Sequence, residues 1–327
     1  MTTFNIGVAH RQTPHLLADL VELLTVLGYN GKNELHKNDI LPLIQSTPSP
    51  EEEVDLEQDC DDEDIADAQK NDRLELYLED LWTQLEYRKS NFSESYPFEV
   101  EGDNLILSSD WSNPKHRIYR HLLACSRLRS FKAGTRQRWA KAFTRVSAKA
   151  LKSLLPAHAE VRIFDANSED RVDYYGTDCR QALRKLGTQI SAHQVNIEAI
   201  DEQSSSGDAG LDLIGVVGFT DGASGSHLIL GQCGAQETNW PTKTLEAHKI
   251  QLGPYFSIMP DATSAMFIPV AYRQANGKWV NSRPTAGILL IDRMRMINLL
   301  TTGGEIDGIV GEQWFFEFEN ELSQVAI

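Results

Sequence analysis

Cysteine is scarce in this chain of 327 residues: Cys60, Cys125, Cys179 and Cys233 lie far apart, with none of the CxxC or Cys/His spacings of a structural zinc. Reduced thiols in a cytoplasmic setting are the expected state. Long apolar runs are also missing. No stretch approaches the roughly 18 to 20 residues of a membrane span, and the first residues, MTTFNIGVAHRQTPH, lack a charged-then-apolar export signal. No membrane role is expected. A glycine-rich phosphate loop ending in Gly-Lys-Ser/Thr, a GxSxG elbow and an HExxH helix are absent as well, which removes the commonest nucleotide hydrolases, serine hydrolases and zinc peptidases.

Charge of one sign is missing from two opposite stretches. The net charge is -16, but residues 51–67 hold eleven acids and no base, leaving 36 acids against 31 bases elsewhere. Residues 114–155 hold twelve Lys or Arg and no acid. The acidic run, preceded by STPSP, is expected to be a solvated linker at about 48–70. The basic stretch has the character of a phosphate-binding surface, because lysine and arginine release counterions from a nucleic-acid backbone. Its candidate nucleic-acid contacts are Lys115, Arg117, Arg127, Arg129, Lys132, Arg136, Arg138, Lys141, Arg145 and Lys149, on two helices broken near 133–135.

What is present divides the chain in two. Residues 1–110 form a helical N-terminal region: two short helices over 15–44 around GYNGKN, faintly like a helix-turn-helix, and an amphipathic helix over 71–89. Residues 111–327 alternate strands with helices and predict an α/β domain, a mixed β-sheet flanked by helices. Its strands are 159–164, 211–220, 227–233, 264–271 and 286–291, with helices over 241–251 and 292–301, the latter capped by Asp292. The aromatic and acidic alternation of WFFEFENE, 314–321, suggests an edge strand or a docking segment.

The turn DGASGS joins 211–220 to 227–233 as an antiparallel hairpin, which carries Asp212 at the start of one strand to the neighbourhood of Gln232 at the end of the other. Asp208 and Glu237 flank the hairpin ends, and Lys243 lies beyond Asn239 and Trp240. An acid on one strand facing an acid or amide on the next resembles the hairpin of the restriction-endonuclease-like PD-(D/E)xK nucleases, and the resemblance covers roughly residues 140–300. GDxGLDxxG, the GQC tripeptide and a following NW resemble prokaryotic proteins of phage-defence gene clusters.

The resemblance implies a metal-dependent nuclease acting on DNA or RNA. Mg²⁺ or Mn²⁺ would be held by Asp212, Gln232 and Asp208; the catalytic group would be Asp212, Gln232 and Lys243. It also implies DNA as the nucleic-acid partner and a protein partner from a defence complex. The sequence departs from the pattern at Gly234, where a lysine is expected, and in the absence of an acid on the preceding helix. A catalytically degenerate subunit, binding nucleic acid or scaffolding an ATPase or nuclease partner, is therefore the alternative. A third reading makes Cys233 a nucleophile with His193, His227 or His248 as its base.

Overall fold

The computed structural model describes residues 2–46, 63–219, 221, 223–257 and 261–326. Cys60 and the expected linker over 48–62 lie outside the described residues, while 63–70 form the start of a helix. Among the described residues no helix is long and apolar enough to cross a membrane. The chain divides into two compact units, one of residues 1–136, 270–280 and 316–327 and one of 137–269 and 281–315. The first unit thus includes a basic helix and a C-terminal segment that the sequence pattern had assigned to the α/β domain.

In the first unit, β1 (Thr2–Thr3) precedes α1 (Pro14–Val26), which starts with proline at a position whose missing N–H costs the helix nothing. Strand β2 (Glu34–His36) and helix α2 (Lys37–Ser46) follow, then α3 (Glu63–Phe92), β3 (Phe98–Glu101), β4 (Asn104–Leu107) and α4 (Pro114–Ser126). β2, β4 and β3 form an antiparallel sheet in that order. The expected helix-turn-helix is absent because β2 lies between the two helices and pairs with β4, Leu35 opposite Leu105. α3 extends the expected 71–89 helix at its N-terminus.

WFFEFENE is helical, within α12 (Gln313–Ser323). Phe315, Phe318 and Leu322 are buried at i, i+3 and i+7 spacing, which outweighs the strand-like alternation. Charge inside this unit is compensated. Arg88, fully buried, lies 2.8 Å from Asp19 and 2.8 Å from Glu22. Glu22 also accepts from the Tyr96 and Tyr119 hydroxyls at 2.7 and 2.8 Å, and Arg88 donates to the His15 carbonyl at 2.6 Å.

The second unit is a mixed α/β fold. Residues from 137 onward of α5 (Ala133–Leu154) lead to β5 (Glu160–Ile163), α6 (Glu169–Tyr175), α7 (Cys179–Gln189), β6 (Gln194–Val195) and α8 (Ile197–Glu202). Then come β7 (Leu213–Val217), β8 (His227–Cys233), α9 (Lys249–Leu252), β9 (Phe256–Ser257), β10 (Thr263–Phe267), β11 (Leu289–Ile291), α10 (Arg293–Thr302) and α11 (Ile306–Val310). A five-stranded sheet runs in the order β11-β10-β8-β7-β5. β5, β7 and β8 are antiparallel neighbours, whereas β8, β10 and β11 are parallel.

The hairpin forms as expected, with Leu213 opposite Gly231 and Val217 opposite His227. Strand alternation sends Ile214, Val216, Leu228 and Leu230 into a core with Leu183 and Leu186 of α7. Asp292 caps α10, accepting from Arg295 N at 3.1 Å. The expected helix over 241–251 is instead a single tight turn, Trp240–Lys243, followed by the four-residue α9. His248 ends the first piece by capping the second, its ring nitrogen accepting from Ile250 N at 3.1 Å.

Candidate functional site

Three strand ends meet at Asp212. Its backbone carbonyl accepts from Phe164 N at 2.7 Å and its N–H donates to Gly231 O at 3.1 Å. Its carboxylate Oδ2 accepts from Cys233 N at 2.7 Å. β5 ends where β7 begins, since Ile163 pairs with Leu213, so Asp165 emerges beside Asp212. Asp208 arrives from the turn before β7. Gly207, Ala209 and Gly210 have φ of 94°, 53° and 79°, and the turn is tied by Gly210 N donating to Asp208 Oδ1 at 3.0 Å. Buried Arg171 steadies this turn from α6, donating to Gly207 O at 2.7 Å.

Asp165, Asp208 and Asp212 each present an oxygen, and these three atoms lie within 4.8 Å of one another. Burial raises the Asp212 carboxyl to about 7; the Cys233 N–H opposes the shift, Asp165 and Asp208 add to it, and Lys243 opposes it. Hard oxygens at this spacing fit a divalent cation, whose ligands at roughly 2.0 to 2.6 Å span up to about 5 Å across the ion.

Gln232 and Lys243 meet at Glu246, which the sequence reading missed. Glu246 Oε2 accepts from Gln232 Nε2 at 3.1 Å and lies 3.7 Å from Lys243 Nζ. The other end of the Gln232 amide, Oε1, is buried and has no hydrogen-bond partner. Such an orphaned acceptor costs free energy unless something occupies it. Gly234 has a steric reason: a β-carbon there would lie 2.8 Å from Trp240 Cβ. Lysine therefore has no room at 234, and a cation that acts on Asp212 is Lys243.

The third carboxylate comes from the strand-end residue Asp165, and no acid on the preceding helix is needed. Pairing AEVRIF antiparallel to 211–220 would have found it, but the sequence pattern does not give the register. Glu237 lies outside the carboxylate cluster. The Cys233 thiol is pushed well above its ordinary range by burial and by Asp212, while the Ser147 and Thr144 hydroxyls of α5 oppose the shift. A nucleophilic thiol needs the opposite shift. His227 begins the strand that Cys233 ends, on the order of 20 Å away at about 3.3 Å per residue.

The basic residues separate into three kinds. Arg127 is buried and donates to the Ile6 and Val8 carbonyls at 2.8 and 3.2 Å, so it is a structural arginine and no phosphate contact. Lys115 is paired with Glu94, and Arg117 with both oxygens of Glu319 at 2.7 and 2.5 Å. Arg129, Lys132, Arg136, Arg138, Lys141 and Lys149 are exposed, and Arg145 is half-buried. Compared with known proteins, the chain matches no family model, no curated protein and no solved structure.

Proposed function

We propose that the second unit is a metal-dependent nuclease of the restriction-endonuclease-like class, acting on phosphodiester bonds of DNA or RNA. The observation that carries this reading is the set of three carboxylates within 4.8 Å, gathered at the ends of β5 and the β7–β8 hairpin. The sheet is consistent with the class: it is mixed, with β5, β7 and β8 antiparallel and β10 parallel to β8, and it contains the expected hairpin.

Asp165, Asp208 and Asp212 would hold Mg²⁺ or Mn²⁺, with Gln232 Oε1 as a further oxygen. A bound divalent cation supplies Lewis acidity, lowering the pKa of water and neutralising charge that develops on phosphate. Lys243 stands ready to orient water or to stabilise that charge on leaving Glu246, an exposed pairing that costs little to break. Arg171 is a positioning residue acting through the Gly207–Asp208 turn.

A binding-only role is the second reading, favoured by the glycine that Trp240 imposes at 234. Incubating the full chain with plasmid, linear duplex, single-stranded DNA and RNA, with Mg²⁺, with Mn²⁺ and with chelator, separates the two. Metal-dependent cutting that disappears in Asp165→Ala and Asp212→Ala supports the nuclease. Binding without cutting under every metal condition supports the second reading.

A further inference from the structure

The cations of α5 in the second unit are not scattered. Arg138, Lys141, Arg145, Lys149 and Lys152 follow one another at intervals of three, four, four and three residues, which places them on one face of the helix. At 1.5 Å per residue the stripe is about 21 Å long. Its far half forms one wall of a groove of about 850 Å³, whose floor is the outer strand β5 and whose other sides include Tyr174 and Trp314. Trp314 carries one cation, Arg145, 5.8 Å from its ring centre, whereas Tyr174 carries two, Arg162 at 4.1 Å and Lys185 at 4.0 Å.

We propose that this groove binds a single strand of nucleic acid, its phosphates along the α5 stripe and its bases against Trp314, leading it to the carboxylate cluster. Basic residues beside aromatic faces are what a single strand needs, because every base has a stacking face and a phosphate follows each one. A duplex hides those faces. Two of the stripe's ion pairs are weak competitors, since the Arg145–Glu169 and Lys149–Glu305 contacts of 3.2 Å are surface pairs.

The groove also contains Glu160, Asp170, Asp173 and Glu312, so charge alone does not hold the ligand and the Trp314 ring decides selectivity. The direction follows from the chain: β5 ends at Ile163, in the groove, two residues before Asp165. An added peptide strand fits less well. β5 is short and presents Glu160 and Arg162, and Lys152 Nζ donates to the Ala157 and Ala159 carbonyls at its entrance.

The direction of travel rests on the nuclease reading, whereas binding is testable without it. The test measures fluorescence anisotropy of labelled 20-nucleotide dT and U strands, and of a 20-base-pair duplex, with the full chain in chelator at low salt. Single strands are expected to bind at least tenfold more tightly than duplex. Trp314→Ala should weaken single-strand binding about tenfold, and Trp314→Phe should restore most of it. Lys141→Glu/Lys149→Glu, at exposed positions that leave folding intact, should weaken it further and make the salt slope shallower by about 1.4.

Duplex bound as tightly as single strand, or single-strand binding unchanged by both the tryptophan and the double reversal, overturns the proposal. So does capture of peptide strands in place of oligonucleotides. Single-strand binding that obeys these expectations in a protein that never cuts would leave the track standing and remove the nuclease reading. Metal-dependent cutting indifferent to the groove variants would do the reverse.

Discussion

Arg88 in the first unit and Asp212 in the second are both ionisable groups taken largely out of water, and their surroundings treat them in opposite ways. Burial works against the charge of Arg88, but Glu22 and Asp19 hold its pKa well above the ordinary value. Tyr96 and Tyr119 donate to Glu22 in turn, and the His15 carbonyl accepts from Arg88. Around Asp212 the nearest groups include two more carboxylates, and the compensation is a backbone N–H and the more distant influence of Lys243. Opposite charges paired in a core hold it together, whereas like charges gathered with little counter-charge mark a candidate ligand site.

The largest effect that could break this contrast is on activity. Asp165→Ala or Asp212→Ala should lower metal-dependent cutting on the order of a thousandfold while leaving strand binding in chelator within about twofold. Loss of binding in step with cutting would make these carboxylates structural. In the first unit, Arg88→Met should destabilise by about 3 to 5 kcal/mol in denaturant titration, because it leaves Asp19 and Glu22 buried without their cation. A change under 1 kcal/mol would mean that the two carboxylates do not depend on Arg88 in the way described.

The second unit should respond with the opposite sign. A carboxyl whose pKa rises from 3.8 to about 7 on folding keeps its proton better in the folded state, so it stabilises at low pH and loses that stabilisation as pH climbs from about 4 to 7. Asp212→Asn should therefore stabilise the metal-free protein at pH 8 by on the order of 2 to 4 kcal/mol, with little effect at pH 4. Greater stability at the cost of function is what a ligand site implies.

Histidines sharpen the contrast in the first unit. Burial lowers His121 to about 3, and burial, partly offset by Asp19, lowers His15 to about 3. Each stays neutral when folded and takes up a proton when unfolded. Stability should then fall with pH from about 6.5 towards 3, by about 1.4 kcal/mol per pH unit for each histidine. Hydrogen exchange followed unit by unit would detect this slope in the first unit, with the reverse contribution from Asp212 in the second. The smallest effect belongs to Cys233→Ser, which should leave cutting within about twofold; an essential thiol would restore the cysteine-hydrolase reading.

Much of this was legible in the sequence where local pattern and tertiary environment agree. The β7–β8 hairpin announces itself through two apolar runs around DGASGS, and Asp208 and Asp212 through the glycines that bend GDAGLD. Asp165 was not legible because strand register is set by pairing across fifty residues, and no local signal carries it. Arg127 was misassigned for a related reason. In a run of bases it looks solvated, but the Ile6 and Val8 carbonyls, more than a hundred residues earlier, draw it into the interior. The helix over 313–323 could have been recognised, since Phe315, Phe318 and Leu322 keep helical spacing beneath the aromatic alternation.

Manganese titration calorimetry on the full chain, at pH 6, 7 and 8, tests the central claim most directly. The three carboxylates should take up Mn²⁺ with an affinity that rises through pH 7 as the Asp212 proton is displaced, releasing that proton to buffer at pH 6 and little at pH 8. Asp212→Asn should abolish or greatly weaken the binding, and Cys233→Ser should preserve it. Absence of binding to the wild-type chain at all three pH values, or equal binding by wild type and Asp212→Asn, would contradict the account.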